Sequence, residues 1–130
     1  MEREKYRILI ADDEEAILFS YRRLFRGARV DVDTCTHIED AFELLQSNDY
    51  QAIMTDLRFG DSEDLGGLDL LKYLRAHSPT IPVILTTGYG NDEIKEKVMA
   101  MGVAAYYDKP VSVEKVLACL TDLGIPADAT

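Results

Sequence analysis

Short apolar runs alternate with longer amphipathic stretches along most of the chain. Three of the runs are continuously apolar, which is typical of parallel strands covered on both faces. They are ILIA at 8–11, AIM at 52–54 and VIL at 83–85. The segment VDVDT at 30–34 alternates strictly and predicts an edge strand with one solvated face. A fifth candidate strand is VAAYY at 103–107.

Five helical patterns lie between and after these strands. In each of them, apolar residues recur at the spacing of a helix with one buried face. The marking positions are Ile17, Tyr21, Leu24 and Phe25; Ile38, Ala41, Phe42 and Leu45; Leu70, Leu71 and Leu74; Ile94, Val98 and Met101; and Val113, Val116, Leu117 and Leu120. Thr36 with Glu39 predicts a capping box before the second helix. Gly27, Gly102 and Gly124 are predicted helix stops.

Strands that alternate with helices in this way predict an α/β domain with a doubly wound parallel sheet. The number of repeats fits the flavodoxin-like (βα)5 arrangement, with strand order 2-1-3-4-5. We expect residues 1–124 to form this domain and residues 125–130 to be a C-terminal tail or the start of a linker. A site is expected at the carboxyl ends of the first and third strands, because the topological switch point lies between them.

The residues that follow the first and third strands are acidic. Asp12 and Asp13 follow ILIA, and Asp56 closely follows AIM. Carboxylates in one crevice repel one another unless one keeps its proton or a cation joins them. Mg²⁺ is held by a few oxygen ligands and keeps several waters, so this set predicts a site for Mg²⁺ or Mn²⁺. Glu14 and Glu15 are expected only to complement the dipole in the first turn of the first helix or to be solvated.

The fourth and fifth strands end in residues suited to holding a phosphoryl group. Thr87 brings a hydroxyl and is followed by the small residue Gly88, and Lys109 brings an ammonium in front of Pro110. A hydroxyl donor and a cation beside metal-bound carboxylates form a cradle for such a group. Taken singly, Thr87 is better explained as a capping hydroxyl and Lys109 as a solvated surface cation; only their combination with the acids favours the cradle.

The combined set resembles the receiver domain of two-component response regulators. The residues that carry the resemblance are, in chain order, Asp12, Asp13, Asp56, Thr87, Tyr106, Lys109 and Pro110. It covers about residues 5–123. The resemblance implies that Asp56 accepts a phosphoryl group from a phosphohistidine on a sensor histidine kinase or a phosphotransfer protein.

The resemblance also implies a metal site. Asp13 and Asp56 would bind Mg²⁺ through their side chains, and Arg58 through its backbone carbonyl. Asp12 would act through a bound water. The acyl phosphate formed on Asp56 would then sit beside the metal.

A switch is implied at the ends of the fourth and fifth strands. Lys109 and Thr87 would contact the phosphoryl oxygens, and the motion of Thr87 would draw Tyr106 inward. The surface of the fourth helix and fifth strand would change as a result. The Lys109–Pro110 peptide is expected to be cis, which has a modest cost only before proline.

The implied role is that of a cytoplasmic signalling domain, which assists its own phosphorylation and dephosphorylation but is not an enzyme. Besides the kinase, the implied partner is a downstream effector or output domain, and a phosphorylation-dependent dimer is left open. Direct nucleic-acid binding is not expected, because 14 Lys and Arg against 24 Asp and Glu give a net charge of −10. Neither a signal peptide nor an apolar run of about 20 residues is evident, so no membrane association is expected.

Two rival functions are weighed against this one. A receiver-like interaction module that works without phosphorylation would not need the acidic set together with Thr87 and Lys109. An aspartyl-phosphate phosphatase of the haloacid-dehalogenase type would place a second acid two residues after its nucleophile, where this chain has Arg58. The Gly-rich segment at 88–90 matches neither a Rossmann nor a Walker phosphate loop.

The loop after Asp56 departs from the family pattern. A proline is usual four residues after the phosphoacceptor, where this chain has Gly60, and the loop over 57–67 is about three residues longer. The loop is expected either to be simply solvated or to control access to Asp56. Arg58 and Tyr89 occupy positions that influence acyl-phosphate hydrolysis in this family.

Overall fold

The computed structural model describes residues 5–26, 29–58, 66–88 and 91–126. The strands are β1 (Tyr6–Ala11), β2 (Val30–Cys35), β3 (Ala52–Asp56), β4 (Val83–Thr87) and β5 (Ala105–Asp108). The helices are α1 (Glu15–Leu24), α2 (Ile38–Ser47), α3 (Gly66–His77), α4 (Asp92–Ala100) and α5 (Val113–Asp122). All four strand pairings are parallel and the order is β2-β1-β3-β4-β5, which confirms the predicted flavodoxin-like sheet.

The sheet separates two apolar layers, which explains why its central strands are continuously apolar. Successive side chains of a strand point to opposite faces. Leu9 and Leu85 lie in the layer that contains α2 and α3, whereas Ile10 and Ile84 lie in the layer that contains α1 and α5. Each of these side chains is at most 1% exposed, and burying one stabilises the fold by about 1.5–3 kcal/mol.

Strand β2 lies at the sheet edge, as predicted, and the face that carries its acidic side chains is only partly solvated. Its four central residues are all half-buried instead of alternating. Asp33 accepts a hydrogen bond from Arg7 Nη1 at 3.0 Å and another from Tyr50 Oη at 2.7 Å. Side chains from β1 and from the segment before β3 therefore cover part of the polar face of this edge strand, whereas the side chain of Asp31 stays 42% exposed.

The capping box predicted from Thr36 and Glu39 does not form. The N-cap of α2 is His37, whose side chain makes no capping hydrogen bond. Thr36 therefore precedes the cap, and its Oγ1 lies 3.0 Å from Nδ1 of His37. A capping box requires the Thr to be the N-cap itself, so a shift of one residue removes it.

The predicted ends of the last two helices are confirmed by backbone geometry. Gly102 and Gly124 adopt φ angles of 80° and 86° just beyond α4 and α5, where a side chain would strain the backbone. Gly27, the stop predicted for α1, lies outside the described residues. Strand β5 begins at Ala105 and ends at Asp108, two residues and one residue later than predicted.

Arg75 anchors the carboxyl end of α4 to α3. Its Nε donates to the carbonyl oxygen of Met101 at 2.8 Å, and its Nη1 donates to those of Pro79 and Ile81 at 3.0 Å each. Arg75 thus holds together the loop before β4 and the loop after α4, both at the edge of the sheet that carries the amino ends of the strands. The amino end of α4 follows β4 at the opposite edge.

The domain boundary predicted at residue 124 stays a prediction. Ile125 is 2% exposed and packs in the layer of α1 and α5. Its N–H donates to the carbonyl oxygen of Leu120 at 2.9 Å. Residues 127–130 lie outside the described residues.

Two further observations concern the thiols and the membrane. Cys35 and Cys119 are both free, and burial raises the pKa of Cys35 to about 12. Among the described residues, no helix combines the length and apolar character that a bilayer-spanning segment needs.

Candidate functional site

The acids predicted to converge do so at the carboxyl edge of the sheet. Asp12 directly follows β1, and Asp56 is the last residue of β3. One carboxylate oxygen from each of Asp12, Asp13 and Asp56 lies within 4.8 Å of the other two. Asp12 and Asp56 are buried, whereas Asp13 is exposed. The cluster therefore offers hard oxygen donors with one side open to solvent, which suits a partly hydrated divalent cation.

Lys109 lies at the centre of this acidic group. Its Nζ is 2.9 Å from Asp12 Oδ2, 3.0 Å from Asp56 Oδ2 and 3.0 Å from Glu14 Oε1. An ammonium has three N–H donors, so these three carboxylates use all of them. The position of Lys109 beside Asp12 and Asp56 agrees with the cradle expected from the sequence.

The contact with Glu14 corrects the expectation that this residue only complements the helix dipole. Glu14 is the N-cap of α1 and its side chain makes no capping hydrogen bond. Its backbone N–H donates to Asp12 Oδ1 at 2.9 Å, and its carboxylate binds Lys109. Glu15, the first helical residue, instead pairs with Arg22 at 2.8 Å. The sequence could not distinguish Glu14 from Glu15, because the two adjacent acids differ only in the partner that each side chain contacts.

The charges of the site are coupled. Burial raises the pKa of both Asp12 and Asp56 above the ordinary range, and hydrogen bonds from Lys109 and from backbone N–H groups offset this only in part. Burial alone would lower the pKa of Lys109, but its hydrogen bonds to Asp12, Asp56 and Glu14 outweigh burial and raise it. Lys109 is therefore a permanent cation, and the buried acids still favour additional positive charge.

Gly67 brings α3 against the end of β3 and was not among the predicted site residues. Its N–H donates to the carbonyl oxygen of Leu57 at 2.9 Å. A Cβ at this position would lie 2.8 Å from both the carbonyl carbon of Asp56 and Cα of Leu57, closer than such atoms approach. Only glycine allows this contact, so Gly67 fixes the backbone that carries Asp56. A glycine near the start of a helix is too common a signal to have revealed this.

The predicted switch residues lie on one face of the sheet. Thr87 ends β4, is 1% exposed, and accepts a hydrogen bond at its carbonyl oxygen from the Lys109 N–H at 2.8 Å. Leu85 is the register partner of Tyr106, and alternate residues of a strand point to the same face. Tyr106 therefore shares its face of the sheet with Leu85 and Thr87. Tyr106 is half-buried, and Lys95 Nζ of α4 lies 5.8 Å from its ring centroid.

Several other predictions concern residues at this edge of the sheet. The Lys109–Pro110 peptide is cis, as expected. Arg58 donates its backbone N–H to Asp56 Oδ1 at 3.3 Å, so it lies beside the acids, but the role of its carbonyl stays a prediction. The predictions for Gly60, Tyr89 and most of the longer loop fall on residues 59–65 and 89–90, which lie outside the described residues.

A cleft of about 510 Å³ opens beside the acids, between α1 and the segment that follows β5. Ile17, Met54 and Val111 give it apolar walls, and Lys109 lines it next to Asp12. Such walls lower the local dielectric, which strengthens the interactions of the charges at the rim. The cleft therefore gives a ligand or partner an approach to Lys109 from the side of α1.

The comparisons with known proteins agree with one another. The model for the response regulator receiver domain matches residues 8–121. The alginate biosynthesis transcriptional regulatory protein AlgB of Pseudomonas aeruginosa is 31% identical over 110 residues, which are 85% of this chain and 24% of that protein. The chain spans about a quarter of the length of the curated relatives it matches.

Solved structures show the same fold. The CheY-like response regulator receiver domain protein from Methanospirillum hungatei is 27% identical, with a TM-score of 0.81 over 92% of this chain and 94% of that one. A response regulator protein from Burkholderia pseudomallei, solved with a phosphorylated aspartic acid, a calcium ion and citrate, is also 27% identical. Its TM-score is 0.77, over 92% of this chain and 69% of that one.

The matched region begins within β1 and ends within α5, so it includes every strand end that contributes to the acidic site. It also contains the only acids that the described residues bring together in a group suited to a metal ion. On this evidence the chain belongs to the response regulator receiver domain family.

Proposed function

We propose that this domain accepts a phosphoryl group on Asp56 from the phosphohistidine of a sensor histidine kinase or a phosphotransfer protein. The observation that carries the proposal is the position of Asp56, buried at a strand end, bound to Lys109 and clustered with Asp12 and Asp13. The related Burkholderia protein, solved with a phosphorylated aspartic acid and a calcium ion, supports it.

In the proposed reaction a carboxylate oxygen of Asp56 attacks the phosphorus. The bond from phosphorus to the imidazole nitrogen breaks, and its electron pair leaves with the histidine. Negative charge on the three equatorial oxygens must be stabilised in the transition state. Lys109 is already 3.0 Å from Asp56, so its ammonium needs little movement to bind one of these oxygens. The Arg58 N–H restrains the other oxygen of Asp56.

The donor set fits a hard divalent cation. The proposed ligands are the side chains of Asp13 and Asp56 and the backbone carbonyl of Arg58, with Asp12 acting through a water. When bound, Mg²⁺ or Mn²⁺ supplies positive charge that offsets the repulsion between Asp56 and an anionic donor. The exposure of Asp13 leaves room for the waters that Mg²⁺ retains.

We expect Mg²⁺ to stabilise the fold and Asp13→Ala to remove this effect. If the apparent Kd is about 1 mM, 10 mM Mg²⁺ adds about 1.4 kcal/mol to the free energy of unfolding. Thermal melts followed by circular dichroism should then shift by roughly 4–6 °C. Glu15→Ala is the matched control, because it removes an exposed acid that pairs with Arg22 outside the cluster. A melting temperature of the unmodified protein that does not change with Mg²⁺ would count against the proposed metal site.

The direct test of the phosphoacceptor uses a small donor. Incubation with Mg²⁺ and acetyl phosphate or phosphoramidate should add one phosphoryl group per chain, because the site itself supplies the groups that assist transfer. The label should be lost in base and in hydroxylamine, as an acyl phosphate is, and peptide mapping should place it on Asp56. A stable label on another residue would reject the proposal.

The proposed output is a change at α4 and β5. A phosphoryl group on Asp56 adds strong acceptor oxygens near Thr87, and such contacts can shift a conformational equilibrium only if they differ between its two states. Thr87 and Tyr106 occupy the same face of neighbouring strands, so displacement of Thr87 changes the space available to the Tyr106 ring. An inward Tyr106 would leave its contact with Lys95 and remodel this surface.

We expect NMR spectra with beryllofluoride to show shifts at Tyr106 and along α4, and Thr87→Ala to suppress them while Asp56 is still phosphorylated. Thr86→Ala is the matched control, because Thr86 is equally buried but belongs to the opposite face of the strand. Shifts confined to the residues after Asp56, with Tyr106 unchanged, would show that the domain signals by another route.

The remaining parts of the proposal concern partners and alternatives. A downstream effector or output domain would read the altered surface, in the cytoplasm, without direct nucleic-acid or membrane contact by this domain, and a dimer formed on phosphorylation is left to be tested. A phosphorylation-independent interaction module is the second candidate. Absence of any label on Asp56, together with partner binding unaffected by beryllofluoride, would favour it.

A further inference from the structure

Glu14 binds Lys109 beside the acidic cluster, but the reaction described above gives Glu14 no part. We propose that Glu14 is a positioning residue that holds Lys109 in the unphosphorylated domain and thereby restrains the phosphorylation of Asp56. The inference rests on the proposed role of Asp56 as phosphoacceptor and adds a control on the rate of that reaction.

The three carboxylates bound to Lys109 differ in how they are held. The side chains of Asp12 and Asp56 are 3% and 9% exposed, whereas that of Glu14 is 59% exposed. Asp12 is further fixed by the Glu14 N–H. Only the Glu14 carboxylate can therefore leave Lys109 and enter water without opening the buried part of the site.

The hydrogen bonds of Lys109 make such a release necessary. All three N–H donors of the ammonium are used by Asp12, Glu14 and Asp56. An incoming phosphoryl group brings new acceptor oxygens to the same ammonium, so one existing bond must break. Since Asp12 is buried and Asp56 is the attacking group, the bond to Glu14 is the one that is exchanged.

Charge adds to this restraint. Three carboxylates, from Asp12, Glu14 and Asp56, contact the one ammonium. Asp13 adds a fourth negative charge within 4.8 Å of Asp12 and Asp56, and phosphoryl donors are anionic. Glu14 therefore both competes with the phosphoryl oxygens for Lys109 and repels the donor. Removing one charge a few ångströms from the reacting group at the edge of the protein should change the rate by about threefold to tenfold.

The test compares Glu14→Gln with Glu15→Gln. Each variant removes one acid from adjacent exposed positions, but Glu15 is bound to Arg22 and not to Lys109. The backbone N–H of residue 14 remains in both, so the hydrogen bond to Asp12 is kept. Melting curves of both variants should stay close to that of the unmodified protein, which checks that the fold is intact.

We expect Glu14→Gln to raise the second-order rate constant for phosphorylation by acetyl phosphate by about threefold to tenfold at fixed Mg²⁺. The half-saturating concentration of beryllofluoride, measured by NMR, should fall by a similar factor, and this readout does not depend on turnover. Glu15→Gln should stay within about twofold of the unmodified protein in both measurements. Part of the Glu14→Gln increase should persist at high salt, because release of a direct contact is screened less than a distant charge.

The possible outcomes distinguish the role of Glu14 from the role of Asp56 as phosphoacceptor. A Glu14→Gln rate equal to or below that of the unmodified protein overturns the restraint by Glu14 while leaving Asp56 as phosphoacceptor. Equal increases in Glu14→Gln and Glu15→Gln, both lost at high salt, show an effect of net charge and also overturn it. Failure of the unmodified protein to be labelled at Asp56 overturns the underlying function and the inference together.

Discussion

Asp56→Asn is expected to abolish labelling by acetyl phosphate and to leave the domain folded. An amide nitrogen or oxygen does not form an acyl phosphate under these conditions, so the label should fall by at least about a hundredfold, to background. The side chain keeps nearly the same shape. Its one oxygen can keep the hydrogen bond from Lys109, while the bond from the Arg58 N–H, which is made to the other oxygen of Asp56, is lost. Intact-protein mass spectrometry before and after incubation measures the loss directly.

The difference in stability between Asp56→Asn and the unmodified protein should also depend on pH in a defined way. Burial raises the pKa of Asp56 in the folded protein. As the pH rises from below the ordinary carboxyl range, the unfolded chain therefore loses this proton first, and the folded protein loses stability until Asp56 ionises too. Asn has no such proton. Without Mg²⁺, the free energy of unfolding of the variant should therefore rise relative to that of the unmodified protein across this pH window, and the difference should persist at higher pH. Urea titrations at several pH values test this.

The control for both measurements is Asp122→Asn, at the end of α5. Asp122 is exposed and lies outside the acidic cluster, so its replacement removes one charge without touching Lys109. It should be labelled like the unmodified protein and keep the pH dependence that Asp56 contributes. Full labelling of Asp56→Asn would move the nucleophile to another residue and defeat the central proposal.

The fold and the acid triad could be predicted because both follow from local pattern and sheet topology. A continuously apolar strand must be covered on both faces, and parallel strands bring their carboxyl ends to one edge. Asp12 and Asp56 therefore meet wherever their strands are neighbours, as β1 and β3 are. No detail of side-chain conformation is needed for this step.

The contacts that were missed depend on long side chains and on shifts of one residue. Lys109 reaches Glu14 across about ninety-five positions of sequence, and its several rotatable bonds allow many partners. Glu14 lies just before α1 instead of within its first turn, and Thr36 likewise lies just before the cap of α2. Hydrophobic periodicity does not fix a helix start to a single residue, so both assignments failed for the same reason.

The partial cover of the polar face of β2 could not be predicted, for a different reason. Strict alternation correctly identified an edge strand, but Asp33 is covered by Arg7 and Tyr50, which belong to other parts of the chain. The alternation describes the strand alone and contains no information about neighbours that reach over it.

Gly67→Ala is expected to be strongly destabilising, although it adds only one methyl group. The new Cβ would overlap the carbonyl of Asp56 and the backbone of Leu57, and backbone atoms cannot rotate away as side chains do. Overpacking of this kind should lower the free energy of unfolding by about 3 kcal/mol or more, although Gly→Ala within a helix normally stabilises it. Urea unfolding followed by circular dichroism measures the change, and a shifted midpoint with an unchanged slope identifies it as a loss of stability.

Gly88→Ala is the matched control for this prediction. Gly88 follows Thr87 at the same edge of the sheet, but a Cβ there meets nothing within 4 Å. Its free energy of unfolding should stay within about 0.5 kcal/mol of the original. If Gly67→Ala stays folded in phosphoramidate labelling assays, the rate at Asp56 should also fall, because the start of α3 would displace the backbone that carries the nucleophile. A stability and labelling rate like those of Gly88→Ala would show that α3 can withdraw from β3, and that Gly67 does not fix Asp56.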